Sequence, residues 1–262
     1  MHPILIKIGP LTIHTYGVMI AAGFLLGLAL AVKQAKKQLI EPDKIIDLGF
    51  YMLLAAIAGS RFFFVIVNAG HYLKNPLAIF KLWEGGLVFY GGVIFAIPTA
   101  IWFIRKKGLD PWNTADIFAP SIAIAHSIGR LGCLMAGCCY GKPAQGLPWA
   151  ITFTDTECLA QTGIPLHPTQ LYESAGEFIN FLILIALRKH QSFIGDSPGR
   201  KGQLFWSYLL MYSVIRFIVE FFRGDEARGY LIGNISISQG ISVLVFVGAI
   251  TGLVTFRKRK NF

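Results

Sequence analysis

Three arginines lie inside stretches that are otherwise apolar enough to cross a lipid bilayer: Arg61, Arg130 and Arg216. An arginine at the centre of a membrane helix costs roughly 2.5–3.5 kcal/mol, so each needs a partner, a water-filled cavity or an anionic ligand. A guanidinium presents five donors in a planar fork that suits phosphate oxygens. The three arginines therefore predict a polar site within the membrane that accepts an anionic group.

Charged and aromatic residues accompany Arg216 at helical spacing. Tyr212, Arg216, Glu220 and Arg223 follow one another at steps of four, four and three, which predicts one polar stripe on a helix. A buried Arg216–Glu220 pair that only holds helices together explains the same pattern, and a headgroup contact at a helix end explains Arg223. Glu173 lies in another apolar stretch, where it could orient an arginine or accept a proton.

Glycines and aromatic residues suggest where a ligand approaches the backbone. The segment EGGLVFYGG places a Gly–Gly pair on each side of Tyr90, and glycines also surround Arg130. Such glycines allow either close helix packing or close approach of a ligand, so both interpretations stay open. Tyr90, Tyr16 and His14 are candidate reacting residues, although each also fits the polar belt at a membrane surface.

The four cysteines do not have the C-x-x-C spacing typical of zinc sites. A metal set of His126 with Cys133, Cys138 and Cys139 is conceivable, but we interpret these cysteines as small packing residues. A bridge between Cys139 and Cys158 stays open. We predict no metal and no cofactor.

The composition indicates how these residues are positioned. Of 262 residues, 54% are hydrophobic and 15% charged, which is typical of a polytopic all-α membrane protein rather than a soluble fold. With about 20 apolar residues per crossing, we predict seven transmembrane helices, at 16–34, 46–68, 87–104, 117–136, 170–187, 203–222 and 238–256. No internal repeat or long linker is visible, so 1–262 is predicted to be a single domain. Two longer connections, 69–86 and 137–169, predict a small external cap, and WAITFTD in the second alternates like a short strand.

The formal charge of +10 is distributed in a way that indicates orientation rather than nucleic-acid binding. One set of alternate loops carries fifteen basic residues: Lys33, Lys36, Lys37, Lys44, Arg105, Lys106, Lys107, Arg188, Lys189, Arg200, Lys201, Arg257, Lys258, Arg259 and Lys260. The other set carries six: Lys7, Lys74, Lys81, Lys142, Arg223 and Arg228. Basic loops favour the cytoplasm, so we expect the N-terminus outside and the C-terminus inside. The first segment lacks the features of a removable signal peptide.

This orientation assigns a depth to each polar residue. Each of the three arginines lies about 14–15 residues along an outward-running span, a rise of roughly 20 Å at 1.5 Å per residue. Tyr16, Tyr90 and Glu173 lie near the outer ends of inward-running spans. All six are therefore expected at similar depth, which suggests one cavity open to the outer leaflet.

Six segments of the chain together resemble the bacterial prolipoprotein diacylglyceryl transferases. They are IHTYG, GSRFFFV, EGGLVFYGG, GRLGCLMAGCCYG, HPTQLYE and YSVIRFIVEFFRGD, and they extend over nearly the whole chain. The resemblance implies a seven-helix enzyme of the bacterial cytoplasmic (inner) membrane, with its N-terminus outside. It also implies transfer of the diacylglyceryl group of phosphatidylglycerol to the lipobox cysteine in the signal peptide of a preprolipoprotein, with a thioether formed and glycerol 1-phosphate released.

The resemblance also implies roles for single residues. Arg130 would hold the phospholipid phosphate, and Arg216 would stabilise the leaving group or help the thiol to ionise. Further positions that the family treats as important are Tyr16, Tyr212, Glu220 and Gly141. The segment HPTQLYE adds Gln170 and Glu173 to the candidate substrate-binding residues, together with Arg61 and Arg223.

This chain departs from the family pattern at the proposed base. Many members carry histidine where this chain has Tyr90, and tyrosine, with an unperturbed pKa of about 10, is a poorer base. The base could be Tyr90 assisted by arginine, or His14, or Glu173. We favour a fourth possibility, that no strong base is needed because the cationic field lowers the pKa of the substrate thiol. Cys133, Ala136 and Cys138 also replace residues common in the family's fourth-span motif.

Two other classes of protein share single features with this chain. A lipid-handling transporter or channel could also place arginines in a membrane cavity, but carriers are often built from two related halves, and no such repeat is visible. An intramembrane protease would need a catalytic pair or a zinc motif, and G-x-S-x-G, H-E-x-x-H and paired intramembrane aspartates are all missing from the sequence.

Overall fold

The structure is a computed structural model that describes residues 1–9, 11–81, 85–189, 201–224, 229–232 and 235–258. Of the basic loop residues above, Arg200, Arg228, Arg259 and Lys260 lie outside these described residues. The helices are α1 (Thr15–Lys37), α2 (Pro42–Val67), α3 (Ala69–Tyr72), α4 (Phe89–Lys106), α5 (Pro111–Ala136), α6 (Thr169–Lys189), α7 (Gln203–Glu220) and α8 (Ile237–Lys258). A 3₁₀ turn spans Pro76–Phe80.

Each predicted span overlaps one of the long helices. Four helices of the described chain are long and apolar enough to cross a membrane: Thr15–Lys37, Pro42–Val67, Pro111–Ala136 and Ile237–Thr255. The other three long helices, α4, α6 and α7, carry charged side chains, which lower their mean hydropathy. The chain is thus predominantly helical with several membrane-type helices.

In the described part of the chain, short strands form three two-stranded antiparallel sheets. They pair β1 (Ile4–Ile8) with β2 (Leu11–His14), β3 (Ile151–Thr152) with β4 (Pro165–Leu166), and β5 (Tyr230–Ile232) with β6 (Ile235–Ser236). The strand β3 lies within WAITFTD, as its alternation predicted. The hairpin of β1 and β2 was not predicted, and it leads directly into α1.

The chain divides into two compact units, 31–114 and a second formed by 1–30 with 115–262. In the first, α2 and α4 approach each other through glycine. A Cβ atom added at Gly59 would collide with the carbonyl oxygen of Gly91, and a Cβ added at Gly91 would collide with that of Gly59. Backbones can come this close only when no side chain separates them.

The second unit contains the packed ends of α5, α6 and α7. A buried cluster joins Ala119 and Ala123 to Leu184, Leu204 and Tyr208. Next to this cluster, Asp116 accepts hydrogen bonds from the backbone N–H groups of Gly202 (2.7 Å) and Phe205 (2.8 Å). Because Gly202 has no side chain with which to cap α7, the carboxylate of Asp116 satisfies the first donors of that helix from α5.

Candidate active site

A single carboxylate contacts two of the intramembrane arginines. Glu173 Oε1 lies 2.8 Å from Arg130 Nη2, and Glu173 Oε2 lies 3.6 Å from Arg216 Nη1. Glu173 is 1% exposed. A buried carboxylate is costly unless it is paired, and here two cations from different helices share that role. The structure therefore brings together three of the residues singled out in the sequence.

Two serines hold α5 and α6 in register beside this ion pair. The Ser127 hydroxyl donates to the Ser174 carbonyl oxygen at 2.9 Å, and the Ser174 hydroxyl donates to the Ser127 carbonyl oxygen at 2.9 Å. Arg130 lies one turn after Ser127, and Glu173 directly precedes Ser174. The two hydrogen bonds thus fix the relative height of the arginine and the carboxylate.

Arg216 is held mainly by its own helix and by the start of α8. Its Nη2 lies 3.0 Å from Glu220 Oε2 and donates to Ser238 Oγ at 3.0 Å. Its Nη1 is buried without a hydrogen bond to the described part of the chain. The pair with Glu220 fits a helix-stabilising role, while Nη1 retains donors that an anionic ligand could use.

Aromatic rings line one side of Arg130. His126, one turn earlier in α5, accepts a hydrogen bond through Nε2 from Arg130 Nε at 3.1 Å. The His126 ring lies 5.8 Å from that of Tyr212, and Tyr212 stacks on Tyr208 at 6.0 Å. Arg130 Nη1 makes no hydrogen bond to the described residues. The guanidinium is therefore oriented by two groups, and one of its nitrogens stays available.

Tyr16 and His14 lie at the junction between the N-terminal hairpin and α1. The backbone and ring of Tyr16 pack against Gly132, where a Cβ atom would lie 3.3 Å from either. Tyr16 also interacts electrostatically with Arg130. His14 ends β2, pairs with Ile4 across the hairpin and is exposed.

Gly141 and Arg223 form a backbone bridge between two loops. A Cβ atom at Gly141 would collide with His167, so only glycine fits at this position. Arg223 is 5% exposed. It therefore does not extend from an exposed helix end, contrary to the headgroup contact suggested from the sequence.

Gln170 supports the turn that follows α5. Its Nε2 donates to the Cys138 carbonyl oxygen at 2.7 Å, and the residue is 1% exposed. Cys139 and Cys158 are free thiols, so the bridge left open by the sequence is not formed in this structure.

Arg61 and Tyr90 belong to the unit of residues 31–114. Arg61 donates five hydrogen bonds of 2.6–3.2 Å to main-chain carbonyl oxygens, those of Ala78, Ile79, Lys81, Gly85 and Gly86. Its guanidinium also lies over the rings of Phe64 (5.7 Å) and Tyr72 (5.4 Å). Tyr90 is the second residue of α4 and is 52% exposed. In this unit Arg61 holds the main chain of 78–81 and 85–86, which precede Tyr90 in the sequence.

Sequence reasoning missed several residues that orient the predicted ones. Ser127, Ser174 and Ser238 were not singled out, although each is a polar residue within an apolar helix. His126 was considered only as a metal ligand, whereas its position four residues before Arg130 could have indicated a partner on the same helix face.

An apolar groove of about 610 Å³ runs beside α6 and α7. Its lining residues are Leu147, Trp149, His167, Tyr172, Gly176, Ile215, Ile218, Val219 and Phe222. The Tyr172 hydroxyl accepts a hydrogen bond from Trp149 Nε1 at 2.8 Å and lies 3.2 Å from His167 Nδ1. The groove thus combines an apolar wall with a small polar cluster.

Comparisons with known proteins agree with these features. The family model described as "Prolipoprotein diacylglyceryl transferase" matches residues 3–255. The chain is 34% identical to the phosphatidylglycerol–prolipoprotein diacylglyceryl transferase of Bacillus velezensis, with 100% of this chain and 94% of that protein covered. It is 36% identical to the protein of the same name from Clostridium tetani, with 94% of each covered. For that of Finegoldia magna the identity is 35%, with 93% and 91% covered. The membrane-type helices, the buried arginine–carboxylate cluster and this end-to-end similarity establish that the chain belongs to the prolipoprotein diacylglyceryl transferase family.

Proposed function

We propose that this protein transfers the diacylglyceryl group of phosphatidylglycerol to the thiol of a lipobox cysteine in a preprolipoprotein. The products are a thioether and glycerol 1-phosphate. The observation that carries this proposal is the contact of Glu173 with both Arg130 and Arg216. Family membership and the names of the relatives support the reaction.

Arg130 binds the phosphate of the phospholipid. His126 and Glu173 hold its Nε and Nη2, so the plane of the guanidinium is fixed before the ligand arrives. Nη1 then donates to a phosphate oxygen. A donor oriented in advance stabilises charge at no cost of reorganisation during the reaction.

Arg216 stabilises the leaving group. As the bond between the glycerol carbon and the phosphate oxygen breaks, negative charge grows on the departing phosphate. The buried Nη1 of Arg216 faces Glu173 at 3.6 Å, an ion-pair distance longer than a strong hydrogen bond. A phosphate oxygen competes well for such a donor. The proposed substrate site also includes Tyr16, Tyr212, Glu220, Gly141, Gln170 and Arg223. Arg61 and Tyr90, in the unit of residues 31–114, stay candidate residues on the sequence resemblance alone.

The substrate thiol ionises in the field of these arginines. An ordinary cysteine thiol has a pKa of about 8.5, and nearby cations lower that pKa. Tyr90, His14 and Glu173 are then not required as strong bases.

The lipid bilayer supplies phosphatidylglycerol, and the apolar groove beside α6 and α7 is suited to an acyl chain.

The topology follows the charge distribution. Seven helices cross the bacterial cytoplasmic membrane as a single domain, with the N-terminus outside, the C-terminus in the cytoplasm and segments 69–86 and 137–169 as the external cap. The site then faces the outer leaflet, where signal peptides emerge. Labelling of single cysteines placed at 2 and 189 with an impermeant thiol reagent, in a chain whose own four cysteines are replaced, tests this arrangement. We expect labelling of intact cells at 2 and protection at 189.

The test of the reaction uses purified protein, phosphatidylglycerol in detergent and a lipobox peptide. We expect release of glycerol phosphate and a peptide heavier by one diacylglyceryl group, both lost for a peptide with serine in place of cysteine. Arg130→Ala should reduce the rate at least 100-fold, in line with loss of one charge-stabilising donor. Arg105→Ala, an exposed arginine at the end of α4, is the matched control. Full activity of Arg130→Ala would refute its role, and no product from folded wild-type protein would favour a lipid-handling function.

A further inference from the structure

Three cysteine thiols meet at the end of α5. The Sγ atoms of Cys133, Cys138 and Cys139 all lie within 4.8 Å of one another. Cys133 is buried, and the other two are half-buried. All three are free. The proposed reaction of Arg130 and Arg216 does not use them.

The helix terminus explains why the three thiols converge without a C-x-x-C motif. Gly137 adopts a φ of 71°, and its N–H donates to the Leu134 carbonyl oxygen at 3.2 Å. The Cys138 N–H donates to the Cys133 carbonyl oxygen at 3.1 Å. This pair of bonds is the Schellman motif, which folds the residue after the glycine back onto the last helical turn. Cys138 is thereby brought beside Cys133, five residues earlier.

The turn that carries Cys138 and Cys139 is held firmly. Cys139 has a φ of 60°, which is unfavourable for a residue other than glycine. The Thr169 hydroxyl donates to the Cys139 carbonyl oxygen at 2.7 Å, and Gln170 donates to that of Cys138 at 2.7 Å. Thr169 and Gln170 are each 1% exposed. A strained residue fixed by buried hydrogen bonds is typical of functional positions.

Cationic side chains lie near the cluster. Arg130 and Arg223 both interact electrostatically with Cys139. Three thiolates around a divalent cation would carry a net charge of −1, and cationic neighbours stabilise such a charge.

We propose that Cys133, Cys138 and Cys139 bind one zinc(II) ion and leave its fourth position open to an external thiol. Sulfur ligands select thiophilic metals such as zinc. In a tetrahedral site with a Zn–S distance of about 2.3 Å the sulfur atoms are about 3.8 Å apart, so the present cluster would have to contract by only about 1 Å. Among the described residues the group contains no fourth ligand. Three protein ligands with an open position are typical of catalytic zinc sites.

The identity of the external thiol rests on the proposed function, in which it is the lipobox cysteine. A thiol that coordinates zinc is deprotonated, and its proton passes to water. The zinc-held sulfur then forms the C–S bond to the glycerol carbon. The C–O bond to phosphate breaks, its electron pair leaves with glycerol 1-phosphate, and zinc keeps its oxidation state. The cysteines thus supply the thiol activation for which Tyr90 is poorly suited.

Metal content tests the site without any turnover. The full chain is purified in detergent from zinc-supplemented cells, and zinc is measured by mass spectrometry. We expect about one zinc per chain in the wild type and in Cys158→Ser, the fourth cysteine, which lies outside the cluster. We expect at least tenfold less in Cys138→Ser/Cys139→Ser. A folded wild type without zinc, a double variant that keeps it, or a disulfide within the cluster would each overturn the proposal.

Cobalt(II) in the wild type covers the case in which the cysteine variants do not fold. Sulfur-to-cobalt charge-transfer bands are expected on loading, and X-ray absorption should report three sulfur ligands. Adding a lipobox peptide should change these bands and bring the count to four, while the peptide with serine in place of cysteine should not. Bands without any peptide response would overturn the open position. Neither the zinc content nor the cobalt spectra require phosphatidylglycerol. Zinc binding without formation of the diacylglyceryl peptide would therefore contradict only the proposed reaction. Formation of that peptide by a zinc-free chain would contradict only the zinc site.

Discussion

Glu173 Oε1 lies 2.8 Å from Arg130 Nη2, although Glu173 is in α6 and Arg130 is in α5. Forty-three residues separate them in sequence. The second oxygen of the same carboxylate faces Arg216 in α7. One acid therefore determines how two cations from different helices are placed.

Replacing Glu173 with glutamine should impair both arginines. The variant keeps the size of the side chain but leaves Arg130 and Arg216 without the shared charge. We expect the transfer rate to fall at least tenfold and the stability to drop by about 3 kcal/mol, as when one partner of a buried ion pair is lost. Peptide mass and thermal unfolding in detergent measure the two effects.

Glu177→Gln is the matched control for that change. Glu177 is fully buried one turn further along α6, and its hydrogen bond is to Asn180 at 3.3 Å. The Glu177→Gln variant should have a transfer rate within about threefold of the wild-type rate. Equal losses in the two variants would show that any buried acid on this helix matters, and the specific role of Glu173 would be wrong.

Arg61→Lys should loosen the two stretches that the guanidinium holds, 78–81 and 85–86. An ammonium has three donors, whereas the guanidinium satisfies five carbonyl oxygens. At about 1 kcal/mol for each lost hydrogen bond, we expect a loss of about 2–3 kcal/mol and faster cleavage by protease within these stretches. Arg105→Lys, at an exposed position, controls for the general effect of replacing arginine with lysine. If Arg61→Lys leaves the stability unchanged, the structural role of Arg61 is contradicted.

Gly59→Ala should force α2 and α4 apart. The added methyl group would collide with the carbonyl oxygen of Gly91 and with the Cβ and Cγ atoms of Phe95, which cannot move away without a shift of α4. We expect a loss of about 1–3 kcal/mol, typical of overpacking, seen as a lower unfolding temperature. Gly70→Ala, where the added atom meets open space, should be nearly neutral. A tolerated Gly59→Ala would mean that the helices are not held at this distance.

Tyr90→Phe tests whether the reaction needs a base at this position. Because the arginine field and the cysteine cluster are proposed to ionise the thiol, the variant should keep the transfer rate within about threefold from pH 7 to pH 9. Tyr51→Phe, a tyrosine of α2 that packs against Phe103, controls for general effects of losing a hydroxyl. A loss of 100-fold or more would assign the base to Tyr90.

The long helices could be predicted from hydropathy because apolar runs of about 20 residues have few alternatives in a membrane protein. The ends were less certain. For example, α2 begins at Pro42 rather than at 46, since proline is favoured in the first turn. The N-terminal hairpin was missed because β1 and β2 are short and do not alternate cleanly.

Contacts in the site could be predicted where both partners lie on the same helix. The pair of Arg216 and Glu220 could be derived from their spacing of four residues. The partners of Arg61 could not, because every residue has a main-chain carbonyl group and the residue type does not show which of them accepts a hydrogen bond. The cysteines were interpreted as packing residues, although a metal set was considered, for a similar reason. Their proximity depends on the left-handed Gly137 after α5, not on the spacing of the cysteines themselves.

The reciprocal hydrogen bonds of Ser127 and Ser174 have an evolutionary consequence. These bonds align α5 with α6 directly. The length of the loop between the two helices can therefore vary among homologous proteins without changing that alignment. Gly146, in that connection, has open space around it. Residues inserted there would lengthen the loop and leave the spacing of Arg130 and Glu173 intact, so homologous chains can acquire new external contacts without rebuilding the charges inside.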